Sequence, residues 1–531
     1  MGTGKSAVGQ ILARRLGWTL IDTDRRVEAK ERATIAQIFA RRGEAYFREV
    51  EGRVIAEVAS RRDAVIATGG GAVLRPENMR RLRERGWIVS LTAPADVLLK
   101  RLTDGERRPL LRGDARGHVV RLLDQRRPLY RDADLMIDVS VATAERVADA
   151  VIAFLCRRDR RTIAVRLVGR EYPVHVGEGI LPLLPVDLTG LGAGRRLAMV
   201  TQRSVLRAGA GALLPVLKAY DFEATVLDVP AGEASKSLAM AGALCRRLAR
   251  AKLDRHGTLL AVGGGVIGDL GGFVAATYMR GIRLIHVPTT LLAMVDSSIG
   301  GKTGVNHARV KNLIGAFYQP AAVVADVRML QSLPDREVRS GLAEVIKTGV
   351  IGDADLFEFL EENLPAVLRR DPGALIEIIS RCAAFKARVV EADEAERAER
   401  QILNYGHTIG HAVEAAAGFR RLTHGEAVAI GMALEAHLAL RLGLASAATV
   451  ERQNALLARA GLPVKLGAVS RAAVWRALAL DKKSRDGVLR WPMLVGIGSV
   501  RREQEVPDGL LAEVLGGQGT GRLRPQPQPA R

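Results

Sequence analysis

Cysteine is scarce in this chain: Cys156, Cys245 and Cys382 are the three in 531 residues, and they are scattered. Their spacing offers neither a metal knuckle nor a disulfide framework, and it suits a reducing cytoplasm. Long apolar runs are missing too. No stretch approaches the ~20 residues that a membrane-crossing helix needs. The first residues, where Lys5 is followed by a mixed amphipathic stretch, do not read as a signal peptide. Acidic residues are in deficit: 58 Asp and Glu face 79 Lys and Arg, a net charge of +21. That surplus raises the question of nucleic-acid binding through phosphate contacts. Aromatics, however, make up only 4%, no long basic block occurs and no recognition motif is present. The arginines read instead as spread over solvated faces, where their field draws small anions. The expected partners are therefore small anionic substrates, with neither nucleic acid nor a membrane among them.

What is present begins with length. A chain of 531 residues with 48% hydrophobic content exceeds one core, so several domains are expected. Over residues 1–158, helical patterns alternate with the strand-like runs WTLID, DAVIATGGG and WIVSLTA, which argues for a parallel α/β sheet. After the charged CRRDRRT junction the pattern restarts. RTIAVRLVGREYPVHVG alternates like an antiparallel pair, and RLAMVTQ, ATVLDVP, GTLLAVGGG, LIHVPTT and AVVADV alternate with helices. The expectation is an α/β domain over 161–330, a helical domain over 331–515 and a disordered Gly/Pro/Gln/Arg-rich tail over 516–531. No internal repeat is visible.

The chain opens MGTGKSAVG. Gly2, Gly4, Lys5 and Ser6 are the parts of a phosphate-binding loop. Backbone N–H groups wrap the phosphates, the lysine reaches the terminal ones, and the serine hydroxyl meets Mg²⁺. Asp22 and Asp24 close the strand WTLID, where carboxylates of an open α/β sheet face the phosphate loop. EAYFREVE sets Arg48 and Glu51 three apart on one helix face, and the backbone of TGGGAV can approach a ligand closely. Arg108 in ERRPLLRG and Arg126 in QRRPLY complete a set of arginines suited to clamp a carboxylate and nucleotide phosphates. Taken singly, each is a solvated arginine or an ordinary turn.

In combination, DTD, FRxxE, GGG, RPLL and RxPLY behind a P-loop resemble shikimate kinase over about residues 1–155. The resemblance implies a fold like that of nucleoside monophosphate kinases and transfer of a phosphoryl group from ATP to the 3-hydroxyl of shikimate. It implies that Gly2, Thr3, Gly4, Lys5, Ser6 and Ala7 bind ATP, with Arg108 as the lid arginine, and that Ser6 and Asp22 act around Mg²⁺. Asp24, Arg48, Gly70 and Arg126 would bind shikimate, Asp24 also standing near the attacked hydroxyl. One departure matters. The family's motif is preceded by a central strand, whereas this chain starts at the Met inside the motif, so the first strand is expected to be missing. Losing it would leave an open sheet edge. The favoured expectation is a start placed too late; the alternative is a crippled kinase half.

A second constellation follows residue 161. LLAVGGGVIGDLGGF puts Gly265, Val266, Ile267, Gly268 and Asp269 directly after a buried strand, where N–H groups and a helix dipole can meet a diphosphate. Glu233 and Lys236 in PAGEASKS come after another strand. VPTTLLAMVDSSIGGKTGVNH supplies Thr289, Thr290, Asp296 and Lys302, and VKNLIGAFYQP supplies Lys311 and Asn312. Four of the nine histidines fall between 407 and 437. His407 and His411 in NYGHTIGHAVE lie at i,i+4 on one helix face, LTHGEAV adds His424, and RSGLAEVIKTG adds Glu344 with Lys347 one turn on. One Glu, two His and an open position make catalytic-zinc chemistry. His411 is either a third ligand or a substrate-binding proton carrier, and spacing alone leaves both open. His437, in the apolar stretch MALEAHLAL, reads as packed rather than ligating.

These segments, from about 161 to 500, closely resemble 3-dehydroquinate synthase. The resemblance implies a Rossmann-like α/β NAD-binding domain followed by an all-helical metal-binding domain. Glu344, His407 and His424 would hold Zn²⁺ (or Co²⁺), leaving His411 non-ligating. NAD would meet Glu233, Lys236, Gly265 to Asp269, Thr289, Thr290, Lys302, Lys311, and Met329, Leu330, Gln331 and Ser332. The substrate, 3-deoxy-D-arabino-heptulosonate 7-phosphate, would meet Asp296, Lys302, Asn312, Lys347, Lys386, Arg400, Asn404, His411 and one lysine of the Lys482–Lys483 pair, with Lys483 the expected one. Asp296, Lys302, Lys347 and His411 would be catalytic. Arg280 would reach the phosphate in a neighbouring subunit, which implies a homodimer. The reaction implied is oxidation at C5, loss of phosphate, return of the hydride and an internal aldol closure to 3-dehydroquinate, so that NAD is not consumed. A metal-dependent polyol or alcohol dehydrogenase is the nearest competing reading, and it would accumulate NADH. A synthase with a truncated, non-catalytic kinase module is the other.

Overall fold

The computed structural model describes residues 2–103, 115–140, 142–158, 160–307, 310–396, 399–418, 421–484 and 490–515. Arg108 and the expected disordered tail lie outside them. The chain divides into two compact units: Met1–Asp159 with Ala212–Asp221, and Arg160–Gly211 with Phe222–Arg531.

The first unit contains two parallel pairs among its described residues, β1 (Thr19–Asp22) with β2 (Ala64–Ala67) and β3 (Val89–Thr92) with β4 (Leu135–Asp138). Helix Lys5–Leu16 begins directly after Gly4, whose φ of +79° is the left-handed conformation that glycine adopts without cost. It ends the same way, at Gly17 with φ +67°. Between β1 and β2 runs helix Ile35–Val58, opened by a reciprocal capping box of Thr34 and Gln37. Val27, Ile38, Phe47, Val50 and Val54 form its core.

The second unit is built on a seven-stranded sheet. β5 (Arg160–Leu167) and β6 (Arg170–Gly177) form the antiparallel hairpin that alternation suggests; β7 (Arg196–Thr201), β8 (Glu223–Asp228), β9 (Thr258–Gly263), β10 (Arg283–Pro288) and β13 (Ala322–Asp326) are parallel. The order is β5-β6-β13-β10-β9-β7-β8. β9, β10 and β13 are almost wholly buried, as continuous apolar runs in a parallel sheet should be. Between β10 and β13 the chain makes a hairpin of β11 (Lys302–His307) and β12 (Val310–Phe317).

Helices dominate from Asp335 onward: Asp335–Gly352, Ala354–Leu368, Pro372–Ala392, His407–Ala416, His424–Arg441, Ala447–Arg459 and Arg471–Ser484. The all-helical expectation needs one correction. β14 (Arg490–Gly496) and β15 (Ser499–Glu505) form a hairpin here. Pro492 and the charged run of β15 hide its alternation in the sequence, whereas in the fold Trp491, Met493 and Leu494 are buried. No helix among the described residues is long and apolar enough to cross a membrane.

Candidate functional site

In the first unit the glycine turn after β2 is the meeting point. A Cβ on Gly69 would stand 2.7 Å from Asp24 Oδ1 and 2.9 Å from Glu51 Oε1, and one on Gly71 would stand 2.3 Å from the Arg48 guanidinium. Only glycine lets these side chains close over the turn. Arg48 donates to Glu51 Oε2 at 2.8 Å and also to Glu44. Glu51 is buried, which raises its pKa despite the paired Arg48. On the other side the Arg126 guanidinium and the Tyr130 hydroxyl donate to the Gly70 carbonyl at 3.3 and 2.7 Å. Asp24, Arg48, Gly70 and Arg126 thus surround one turn. At the phosphate loop, the Ser6 hydroxyl donates to Asp22 Oδ2 at 3.1 Å, and Asp22 also caps the next helix through the N–H groups of Asp24 and Arg25. Glu51, paired with Arg48 as its spacing suggests, belongs to this set, and Tyr130 completes it beyond the residues singled out from the sequence. Tyr130 lies in the RxPLY motif.

In the second unit, β9 ends at Gly263 and a helix starts at Gly265, so the Gly-rich segment presents the helix N-terminus. A Cβ on Gly264 would meet Thr290 Cγ2 at 3.0 Å and one on Gly265 would meet Ser297 Oγ at 3.3 Å. Lys236 pairs with Asp269 on that helix, both largely buried. Glu233 accepts from Asn306 at 2.9 Å, and Asn306 in turn accepts from the Asn312 N–H at 2.9 Å. Glu233, Lys236, Ser237, Leu238, Asn306 and His307 line an open cavity of about 450 Å³. Met329 and Leu330 are core side chains, whereas Gln331, which donates to the Arg370 carbonyl, and Ser332 are exposed. Arg280 sits in a turn where Met279, Arg280 and Gly281 all have positive φ.

The densest chemistry lies on the helices. Ligand atoms of Glu344, His407 and His424 lie within 4.8 Å of one another. His407 Nε2 is 3.4 Å and His424 Nε2 3.5 Å from Glu344 Oε1. The second ring nitrogen of His407 faces the Tyr405 carbonyl at 3.2 Å, which fixes its proton on Nδ1 and leaves Nε2 as a ligand atom. Glu344 is 2% exposed; Lys347 pairs with it by charge, yet neither carboxylate oxygen takes a hydrogen bond. A buried carboxylate left this way, facing two imidazoles, fits a divalent cation. Burial, assisted by Lys347, pushes His407 down to about 3. Burial works against charge on His424 as well, but Glu344 and Glu414 outweigh it and raise that ring to about 9.

Around this centre stand the cations. Lys386 donates to the Asp296 carbonyl at 2.6 Å and pairs with the Asp296 carboxylate. Burial pushes Asp296 up, yet Lys386 and Lys347 prevail and hold it at about 2. Asp296 rides on a π-helical turn, Ala293–Ser297, an irregularity frequent at functional sites. Arg400 is 1% exposed and donates to the carbonyls of Gly300 and Glu394. Lys302 pairs with Glu396. Lys347 donates to the Leu403 carbonyl, one residue before Asn404. His411 packs edge-on to His407, ring centroids 5.3 Å apart. Lys483 lies on helix Arg471–Ser484, but its side chain is outside the described residues. His437 Nδ1 faces its own helix at Ala433 and joins no ligand group. Sequence reading missed Glu414, which bridges Lys311 Nζ at 3.3 Å and His424 Nδ1 at 3.6 Å. Its place in HAVE, three residues past His411, was the available signal.

Residues 226–340 match the family model "3-dehydroquinate synthase N-terminal", and 341–484 match "3-dehydroquinate synthase C-terminal". A 3-dehydroquinate synthase of Acidithiobacillus ferrooxidans is 48% identical over 355 residues, 67% of this chain and 97% of that protein. The chain belongs to the 3-dehydroquinate synthase family. Residues 1–156 match the shikimate kinase family model, so a kinase domain precedes the synthase on one polypeptide. Among solved structures, the 2-epi-5-epi-valiolone synthase ValA of Streptomyces hygroscopicus, with NAD⁺ and Zn²⁺ bound, is 30% identical, covers 67% of this chain and 98% of its own, and superposes with a TM-score of 0.61. A 2-deoxy-scyllo-inosose synthase complexed with carbaglucose-6-phosphate, NAD⁺ and Co²⁺ is also 30% identical, over 67% of this chain and 99% of its own, at the same TM-score of 0.61. Both relatives support a sheet-plus-helices architecture for a synthase.

Proposed function

We propose that the second unit converts 3-deoxy-D-arabino-heptulosonate 7-phosphate to 3-dehydroquinate and phosphate, and that the first unit phosphorylates shikimate with ATP and Mg²⁺. The observation that carries the synthase reading is the convergence of Glu344, His407 and His424 beside the buried cations Lys347, Lys386 and Arg400. The domain limits proposed are 1–158, 161–330 and 331–515.

Glu344, His407 and His424 would hold Zn²⁺ or Co²⁺, and the Gly265–Asp269 turn, Glu233, Lys236, Thr289, Thr290 and Lys311 would hold NAD. When bound, these groups supply a Lewis acid and a reversible hydride acceptor. The chain's own residues do the rest. Lys386 and Arg400 face the sugar-acid carboxylate, and Lys302, Asn312 and His411 the phosphate. Asp296, held ionised by Lys386, keeps that ammonium aimed into the site. Lys347 holds Glu344 as the anion that a metal requires. His411, whose pKa burial lowers, is neutral and can accept a proton at a ring nitrogen. Arg280 would serve a neighbouring subunit in a homodimer, which light scattering would detect. The three scattered cysteines suit a reducing cytoplasm.

In the kinase, Arg48 and Arg126 would clamp the shikimate carboxylate, and Asp24 would orient its 3-hydroxyl towards a nucleotide cradled by Gly2–Ala7. The relation of Ser6 to Asp22 supports this reading.

The synthase reading is checked by stoichiometry. One phosphate should be released per substrate with no net NADH, and chelation followed by Co²⁺ should abolish and then restore turnover. NADH rising in step with substrate loss would establish a dehydrogenase instead.

A further inference from the structure

Glu435 belongs to no group described so far. It lies on helix His424–Arg441, three turns from His424. Its carboxyl group has 0% exposure. Burial of this kind is costly unless the oxygens are used. Both are. Oε2 accepts from the Gly406 N–H at 2.6 Å and Oε1 from the Ile409 N–H at 3.3 Å. These two N–H groups open helix His407–Ala416, the helix that carries His407 and His411.

That helix has no cap of its own. Its N-cap is Gly406, with φ +78° and no side chain to accept from the first turn. The first N–H groups of a helix have no partner within it and carry its positive end. Glu435 takes the roles that a capping Ser and a third-position Glu share in a capping box, but from another helix. The two helices can approach this closely because of glycine. A Cβ on Gly431 would fall 1.9 Å from the Gly406 carbonyl oxygen, and one on Gly406 would fall 2.5 Å from Met432 Cγ. Beside them the Tyr405 hydroxyl donates to Gln453 at 2.8 Å, while the Tyr405 carbonyl faces His407 Nδ1. Residues 405 and 406 are therefore held on both sides, immediately before the ligand.

We infer that Glu435 is a positioning residue: it caps the His407–Ala416 helix in trans and thereby sets the pose of His407 and His411 relative to His424. One helix carries both the His424 ligand and the anchor for the other two histidines. The inference rests on the reading of Glu344, His407 and His424 as the metal site.

The test uses the full chain, stripped with chelator and titrated with Co²⁺, read by its d–d absorption, alongside circular dichroism and thermal melting. H424A serves as the control. Expected is near-complete loss of the Co²⁺ spectrum in H424A. E435Q replaces one acceptor oxygen with a donor facing an N–H; it should stay folded, bind Co²⁺ about 10-fold or more weakly and shift the ligand-field bands. At saturating Co²⁺, E435Q should lower kcat with a smaller change in KM. E435D keeps the carboxyl group but cannot reach both N–H groups, and it is read in the same way should E435Q not fold. If H424A loses the metal while folded E435Q and E435D titrate and absorb like the parent, the inference is overturned and the site reading stands. If H424A also keeps its spectrum, the metal-site reading itself falls.

Discussion

At the scale of single residues, the molecule separates charges that work from charges that burial suppresses. His286 is an example of the second kind. It sits on β10, in the middle of the sheet, where a Cβ on Gly268 of the overlying helix would stand 3.6 Å from its ring. Burial alone pushes it from 6.5 down to about 4. Unfolded, it would protonate near 6.5; folded, it stays neutral until about 4. The unfolded chain therefore binds more protons in that window, and stability falls as pH drops from about 6.5 to 4, by up to roughly 3 kcal/mol. Above 6.5 the residue contributes no pH dependence. His286→Met should flatten the stability-versus-pH curve of the synthase unit over that interval, measured by urea unfolding at stepped pH. An unchanged slope would show that His286 titrates normally in the fold.

Elements, not residues, place the candidate metal centre. Its three candidate ligands come from the starts of His407–Ala416 and His424–Arg441 and the middle of Asp335–Gly352. The pair carrying histidines is held at glycine distance, and a Cβ on Gly425 would likewise fall 1.9 Å from the Ser340 carbonyl oxygen of the third helix. Gly431→Ala should force the first two helices apart. Overpacking of this kind costs about 1–3 kcal/mol or more. The expected outcome is a fall of several degrees in the melting temperature of the synthase unit, with weaker Co²⁺ binding. A melt and a metal titration both equal to the parent would mean that the contact relaxes freely.

The whole molecule joins two family matches on one chain, and the described members of each constellation lie within one unit: those around the Gly69–Gly71 turn in the first, those around Glu344 in the second. Lys5→Met should abolish ATP- and shikimate-dependent ADP release and leave phosphate release by the synthase within about two-fold; H424A should do the reverse, since sites that share no partners act additively. Loss of both activities in either variant would reveal coupling between the halves.

Much of this was readable from the chain. Glycine turns after buried strands, the i,i+4 pair of His407 and His411, the Lys347 that follows Glu344 by one turn, and the Arg48–Glu51 pair are local patterns, governed by helix and strand periods of a few residues. The hairpins β11–β12 and β14–β15 were not, because Pro492, charged runs and short strands blur a period of two. Nor was the way Lys236 and Asp269, Lys302 and Glu396, Lys386 and Asp296, or Glu414 and His424 would meet, for each pair is far apart along the chain or on separate elements. Sequence determined which elements form and which chemistry they carry. Only the tertiary structure decided that an unremarked Glu435 would cap the ligand helix, because capping in trans depends on where two helices cross, and crossing is settled by packing across the core rather than by any local run of residues.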